Sequence, residues 1–254
     1  MDPGPFDVSA IVGHAPVWVL VLARVTGICL TAPVIAVPGA DWRVRVLLAA
    51  FLSAVLVPVI EPLAGFLPAG PRLEWMMAGE VLTGGLLGLS AGLIVAATRQ
   101  AGELVAAQAG LSAASLFDPE ADLELTALGH LYGLIALAVF LALNGPLVLV
   151  AALIESYRAV PAGGLSLTTA TASEVFGQVG SALALSLRVA APPAIALAVA
   201  GIVMGWIGRL APAVPVLAPS LPVRAMLGII FILLSAGALA ATLAQAWASW
   251  PFGS

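Results

Sequence analysis

The chain of 254 residues is 62% hydrophobic and 9% charged, with a mean hydropathy of +1.14; soluble domains carry about 25% charged residues, so this one cannot close a water-facing surface. Its net charge of −4 is spread along the chain and every basic residue is an arginine, which excludes a nucleic-acid footprint. One cysteine, Cys29, and two histidines, His14 and His130, exclude an internal disulfide and provide no metal-ligand spacing.

These limits predict an all-α integral membrane protein, one domain over residues 1–254, with room for about five to seven spans. Residues 1–14 carry Asp2 and Asp7 and no early basic cluster, unlike the start of a cleavable signal peptide, so the first apolar run is expected to be retained. Hydropathy predicts six spans, at 17–37, 44–67, 76–97, 125–154, 182–207 and 223–247.

In the first span, Arg24 lies several residues from either end. A guanidinium at the bilayer centre costs ~2.5–3.5 kcal/mol even on the lenient insertion scale. Arg24 therefore calls for an ion pair or a protein-surrounded position, or else it marks a transported-proton site. Pro33 breaks or bends the first span, Pro58 and Pro62 the second, and Pro192-Pro193 the fifth. An interior proline frees backbone carbonyls, which must find neighbours or a water-filled cavity.

The third span carries Glu80, a second candidate buried charge, followed by Gly84, Gly88 and Gly92. Spacing by four aligns these glycines on one stripe, a smooth groove for another helix. Next comes an amidated and acidic insert between two apolar runs: Gly102-Glu103, Gln108-Ala109-Gly110 and Asp118-Pro119. Such groups are costly in a membrane unless they face water, protein or a passing substrate. The insert reads as a half-buried helix followed by a Gly/Ser loop.

Asp118, Glu120, Asp122 and Glu124 form an acidic run that reads as a solvated helix start, with Asp118 as cap and Pro119 in the first turn. His130 stands alone on the fourth span and reads as packed or interfacial. Gly201 and Gly205 form a second small stripe, and Arg188 suits snorkelling to the interface. Arg43, Arg45, Arg99, Arg209 and Arg224 follow spans one, three and five, whereas Arg72 and Arg158 lie on the other side. The positive-inside rule places the larger group in the cytoplasm and both termini outside.

A membrane enzyme should show a nucleophile with its base, or a metal cluster. The sequence has no His-Glu-x-x-His, Gly-x-Ser-x-Gly or glycine-rich phosphate loop. No catalytic role, metal or cofactor is expected.

Several features fall in an order that resembles the FliR family of flagellar export-gate proteins and its type III secretion counterparts in injectisomes. Arg24-x-x-Gly27 with Ala32-Pro33 and Pro38 stand at its start, then Glu80 with Gly84 and Gly88. Ala101-Gly102-Glu103, Gln108, Gly110-Leu111 and Asp118-Pro119 follow, and after them Asn144-Gly145, Ser156 with Pro161, Gly208-Arg209-x-Ala211-Pro212, Leu221-Pro222 and Gly228. The ordered set covers nearly the whole chain. Two positions depart from the family pattern: Pro146 stands where members often have histidine, and Ala213-Val214-Pro215 replaces a Gln-x-Asn pattern.

The resemblance implies a non-enzymatic structural and gating subunit of a protein-export channel, built from kinked helical hairpins at the basal body of the bacterial inner membrane. Its implied partners are FliP-like and FliQ-like gate subunits, FlhB-like and FlhA-like components, membrane lipid and exported unfolded proteins, with no nucleic acid. It also implies a channel plug in the loop Gly110, Leu111, Ser112, Ala113, Ala114, Ser115, Leu116, Phe117, Asp118 and Pro119, supported by Glu103 and Gln108. Small residues make such a loop rearrangeable, and Leu116 and Phe117 can seal it. The competing reading is a small secondary transporter or ion channel with broken helices; a transporter of that kind should show two matching halves, and no convincing repeat is visible.

Overall fold

The computed structural model describes residues 8–33, 41–60, 62, 73–111, 127–164, 169–210 and 217–250. Among these residues seven helices follow in order: α1 (Val8–Thr31), α2 (Trp42–Ile60), α3 (Leu73–Ala109), α4 (Ala127–Ala142), α5 (Gly145–Ala159), α6 (Thr169–Leu210) and α7 (Leu217–Ala248). The protein is an all-α integral membrane protein. Its backbone polar groups are satisfied inside helices, the arrangement a hydrocarbon surround demands of a non-barrel chain.

The six expected spans are not all matched among the described residues. Among the described residues four helices, α2, α3, α6 and α7, are long and apolar enough to cross a bilayer, or five if the bent pair α4–α5 counts as one. The described apolar part of α1, Pro16–Thr31, is shorter than that. The expected span 125–154 is interrupted where Asn144 takes the left-handed conformation, φ 55°, and Pro146 opens α5. Proline is well suited to the first helical turn, so Asn144-Gly145-Pro146 stops one helix and starts the next inside a continuous apolar run.

The prolines act differently from one another. Pro33 lies just past the end of α1, while Pro58, Pro192 and Pro193 lie within α2 and α6. Arg99 and Arg224 also sit inside α3 and α7, away from the loops where hydropathy places them.

Two compact units divide the chain: one comprises 1–92 with 144–176, the other 93–143 with 177–250. In the first, α1 packs along α2 and its backbone presses on α3. A Cβ at Gly84 would overlap the Arg24 carbonyl oxygen, and one at Gly27 would overlap the Val81 carbonyl and stand 2.7 Å from the Gly85 nitrogen. One turn on, the Thr31 hydroxyl bonds the Gly85 carbonyl at 3.0 Å and occupies the space over Gly88. Gly92 meets the Thr31 carbonyl. The stripe Gly84, Gly88 and Gly92 thus receives the main chain of α1, the close approach that small residues permit in membranes.

In the second unit α4 packs on the C-terminal part of α3 and on α7. Gly102 lies against the Leu128 carbonyl, and Gly133 lies under the Arg99 side chain. Phe140 and Trp247 stack at 4.5 Å between centroids, tilted by 47°, and Gly228 of α7 meets the Ala109 side chain.

Helices α2, α6 and α7 are far less covered than α3. Half of the spanning window of α3 is buried, against 22% for each of α2, α6 and α7. Large apolar side chains such as Phe51, Leu187, Trp206 and Leu234 point outwards, as they do when hydrocarbon or another protein surrounds a helix.

The packing of α1 on α3 makes a contrast between adjacent glycines. Gly84→Ala should destabilise the detergent-solubilised protein by about 1–3 kcal/mol, the usual range for overpacking, because main chain blocks the methyl group. Gly85→Ala, with nothing within 4 Å of its Cβ, should leave stability unchanged or raise it. Thermal unfolding of both variants in one detergent checks this; equal losses would refute the close approach at Gly84.

Candidate functional site

The main polar cluster belongs to the first unit and grows from three stretches of chain. Helix α1 contributes Arg24, α3 contributes Glu80, and α5 with the turn after it contributes Ser156, Tyr157, Val160 and Gly163. Arg24 is 0% and Glu80 1% exposed, so both charges are removed from solvent. An uncompensated charge there would cost several kcal/mol, and the geometry shows how that is avoided.

Arg24 Nε donates to Glu80 Oε2 at 2.5 Å and Nη2 to Oε1 at 3.1 Å, a two-pronged pair suited to the planar guanidinium. Nη1 donates to Ser156 Oγ at 2.9 Å, and Nη2 also donates to the Val160 carbonyl at 3.1 Å. Four of the five guanidinium donors are therefore used. The Tyr157 ring lies beneath, with its centroid 3.7 Å from Cζ, a cation–π contact strengthened by desolvation.

Glu80 is equally well served. The Gly163 amide donates to Oε1 at 2.7 Å, and the Tyr157 hydroxyl lies 3.5 Å from Oε2. Gly163 takes φ +75°, a backbone angle that favours glycine, and packs against the Met76 side chain. Ser156 accepts from Arg24 and donates to the Leu153 carbonyl at 2.6 Å.

Chemically, this cluster is a lock. Both carboxylate oxygens are engaged by donors, and the nearest base to any proton on Arg24 is already its partner. The arrangement ties the turn after α5 to α1 and α3, and it favours the structural pair over the transported-proton reading of Arg24.

The loop attributed to a plug is described only at its first two residues. Gly110 turns the chain at φ +79° where α3 ends, and Leu111 follows, exposed; Ser112 to Pro119 lie outside the described residues. The base is well defined. Glu103 is half-buried with its carboxylate against Gly129 of α4, and Gln108 is exposed on the last turn of α3. Glu103 and Gln108 belong to the second unit, Arg24 and Glu80 to the first. Among the described residues no group of three or more His, Cys, Asp or Glu is placed to hold a metal ion.

A buried charge lock on glycine-packed helices is a structural element, and the comparison with known proteins gives it a family. The sequence matches the family described as Bacterial export proteins, family 1, over residues 15–250. The chain belongs to this family. A flagellar biosynthetic protein FliR of Escherichia coli (strain K12) is 29% identical over 213 residues, covering 82% of this chain and 79% of its own. Another, from Pectobacterium carotovorum subsp. carotovorum, is 27% identical over 210 residues, 81% of this chain and 78% of its own. A third, from Caulobacter vibrioides, is 26% identical over 222 residues, 87% of this chain and 88% of its own.

In this member of the export family, sequence reading missed the roles of Tyr157 and Gly163 and gave Ser156 none. Local pattern carried little signal for them. Ser156 lies 132 residues from Arg24 on a different helix, and nothing in hydropathy links the two. The Gly163-Gly164 pair after Pro161 was the available hint that a turn with unusual backbone follows α5.

The lock predicts a graded response. Arg24→Ala leaves Glu80 buried with its charge uncompensated and should cost about 3–5 kcal/mol, seen as loss of folded protein from membranes. Arg43→Ala, on the exposed start of α2, should do little. The double substitution Arg24→Met with Glu80→Leu should recover much of the loss, since apolar replacement of both partners removes the desolvation penalty. Protein levels and thermal stability of the three variants test this; equally mild effects of Arg24→Ala and Arg43→Ala would sink the lock.

Proposed function

We propose that this chain is a structural subunit of the flagellar protein export apparatus in the bacterial inner membrane, and that residues 110–119 gate its channel. The observation that carries the first part is the match to the bacterial export family over residues 15–250, joined by relatives that bear the flagellar name. In this role the chain assembles with FliP-like and FliQ-like subunits, and with FlhB-like and FlhA-like components, around a path for unfolded proteins. It contributes shape and closure and carries out no catalysis. The uncovered apolar faces of α2, α6 and α7 support placement among other membrane helices and lipid.

The base of the loop supports the gating part. Helices α3 and α4 approach main chain to main chain at Gly102 and Leu128, and the Glu103 carboxylate is held against Gly129. Two helices clamped this closely give a rigid stem. The residues that follow, Gly110 through Ser115, are mostly small, and Leu116-Phe117 are bulky and apolar. Small residues followed by two bulky apolar ones, carried on a rigid stem, suit a segment that seals against neighbours. A path for unfolded chains needs a narrow lining without strong binding sites, which small side chains provide.

Sealing excludes water and ions, so loss of tip bulk should leak before it blocks transport. Deleting residues 112–115, or substituting Phe117→Ala, should raise ion and small-solute permeability of cells while the assembled complex still forms. Conductance measured beside co-purification of the gate subunits checks both halves of the claim. An unchanged barrier in an intact complex would make the loop a connector.

A further inference from the structure

In the second unit, α6 and α7 run side by side in opposite directions. Arg224 of α7 lies at Gly201 of α6, and one turn on, a Cβ at Gly228 of α7 would stand 3.9 Å from Leu197 of α6. Residues 189–208 of α6 carry no charge, a run bounded by Arg188 and Arg209. At 1.5 Å per residue it is about 30 Å long, the hydrocarbon thickness of a bilayer. Gly201 stands eight residues from Arg209 and thirteen from Arg188, so Arg224 is level with the interior of that run, roughly 12 Å from its nearer end. On α7 itself, residues 217–223 and 225–244 are uncharged. Arg224 is thus a lone charge within a bilayer-length apolar hairpin.

Its side chain does not leave that level. Nη2, Cζ and Nε lie 2.5, 3.4 and 4.0 Å from the Cβ position of Gly201. The guanidinium therefore rests on the main chain of α6, whereas a snorkelling arginine reaches towards the interface. Nε is buried without a hydrogen-bond partner among the described residues, and Arg224 has no ion pair with any of them. The seam around it is open. Arg224 and Gly201 are half-buried, and Gly205, one turn along, is exposed with no described atom within 4 Å of its Cβ position. Ile202 and Trp206 of α6 and Met226 and Ile230 of α7 flank the seam, all exposed.

We infer that the seam of α6 and α7 at Gly201 and Gly205 docks a transmembrane helix of another subunit, and that an aspartate or glutamate within that helix's apolar run pairs with Arg224. A guanidinium at such a depth is tolerated where it faces protein and finds an opposite charge, and lipid phosphates lie beyond the ends of the run. Small residues let the backbone of a second helix come close. The first unit shows the same solution within one chain: the Arg24 main chain sits on Gly84, and Glu80, one turn away, takes the guanidinium in a two-pronged pair. At the seam, Arg224, Gly201 and Gly205 supply the guanidinium and the small-residue seat, and the carboxylate falls to the partner. A second copy of this chain is a poor source of it, since Glu80 is buried in its own pair and Glu103 is seated against Gly129. The inference goes beyond the proposed export role, and it stands or falls separately from the gating loop.

The test is made in cell membranes with the natural partners present. A photoactivatable benzophenone amino acid placed at Ile202 or at Met226 should cross-link a second protein. Mass spectrometry of the cross-linked peptide should show an apolar run of helix length that holds an aspartate or glutamate. Arg224→Glu should then lower recovery of that protein with this chain by about tenfold or more, because two carboxylates meet where a pair is required. Exchanging the partner's acid for arginine in the same cells should restore recovery, which also shows that the Arg224→Glu chain folds. Gly205→Leu, which meets nothing within the described chain, should weaken recovery with every charge retained. Arg158→Gln, whose arginine is exposed and paired with Glu155 at 2.8 Å, should leave it unchanged. A cross-linked helix without an acid overturns the inference, as does cross-linking only to lipid, to a second copy of this chain or to residues 118–124 of the same chain. So does wild-type recovery with a folded Arg224→Glu chain, or a charge exchange that restores nothing.

Discussion

The contact between Arg24 and Glu80 sets the arrangement of the first unit, because inside a membrane protein little else can set register. Lipid tails are as apolar as the side chains of the helices, so helix association gains no hydrophobic driving force and relies on packing and polar contacts. A slide of α1 along α3 by one turn would keep most apolar contacts nearly equivalent. It would not keep the ion pair, and the loss would leave two charges buried in a low-dielectric interior. The pair adds little as net attraction and much as a penalty on every wrong arrangement.

Glycine and charge need one another here. Glu80 and Gly84 are one turn apart on α3, and Arg24 and Gly27 occupy the same face of α1. The Gly84 position holds the Arg24 carbonyl, so the two backbones lie close enough for the guanidinium to reach Glu80 with a short, straight fork. A bulkier residue at position 84 would separate the helices and lengthen the bond. The third partner then follows: with Arg24 and Glu80 joined, donors and acceptors are left over, and Ser156, Val160 and Gly163 satisfy them. The turn after α5 is thereby recruited by unmet hydrogen-bonding capacity.

What could be read without coordinates divides along the same physical line. Helical class and membrane residence follow from composition, which is an average and survives local error. That Arg24 needs company follows from the energy of a buried charge, and that Gly84, Gly88 and Gly92 share a face follows from helical period. The identity of a partner across 56 or 132 residues depends on how helices fold back, and no local pattern encodes it. The α4–α5 break was hidden for another reason. A hydropathy window averages across Asn144-Gly145-Pro146, whereas the backbone responds to each residue separately. The long α6 was truncated for the same cause, since Glu174 and Gln178 lower the average without disturbing the helix. At the loop base, Glu103 could be recognised as costly, but its seat against Gly129 depends on α4 crossing at one particular height.

The two units are stabilised by different means. The first adds a polar cluster around a guanidinium to its glycine stripe; the second, among the described residues, combines close glycine packing with the Phe140–Trp247 stack. A polar cluster of this kind fails steeply when any member is removed, because the remaining partners stay buried and unpaired. Packed glycines and stacked rings yield more gradually, since each atom pair contributes only ~0.1–0.2 kcal/mol. The close approach of α3 and α4 at Gly102 belongs to the second unit. The charge lock, which tolerates no partial state, is kept where the fold needs a single answer.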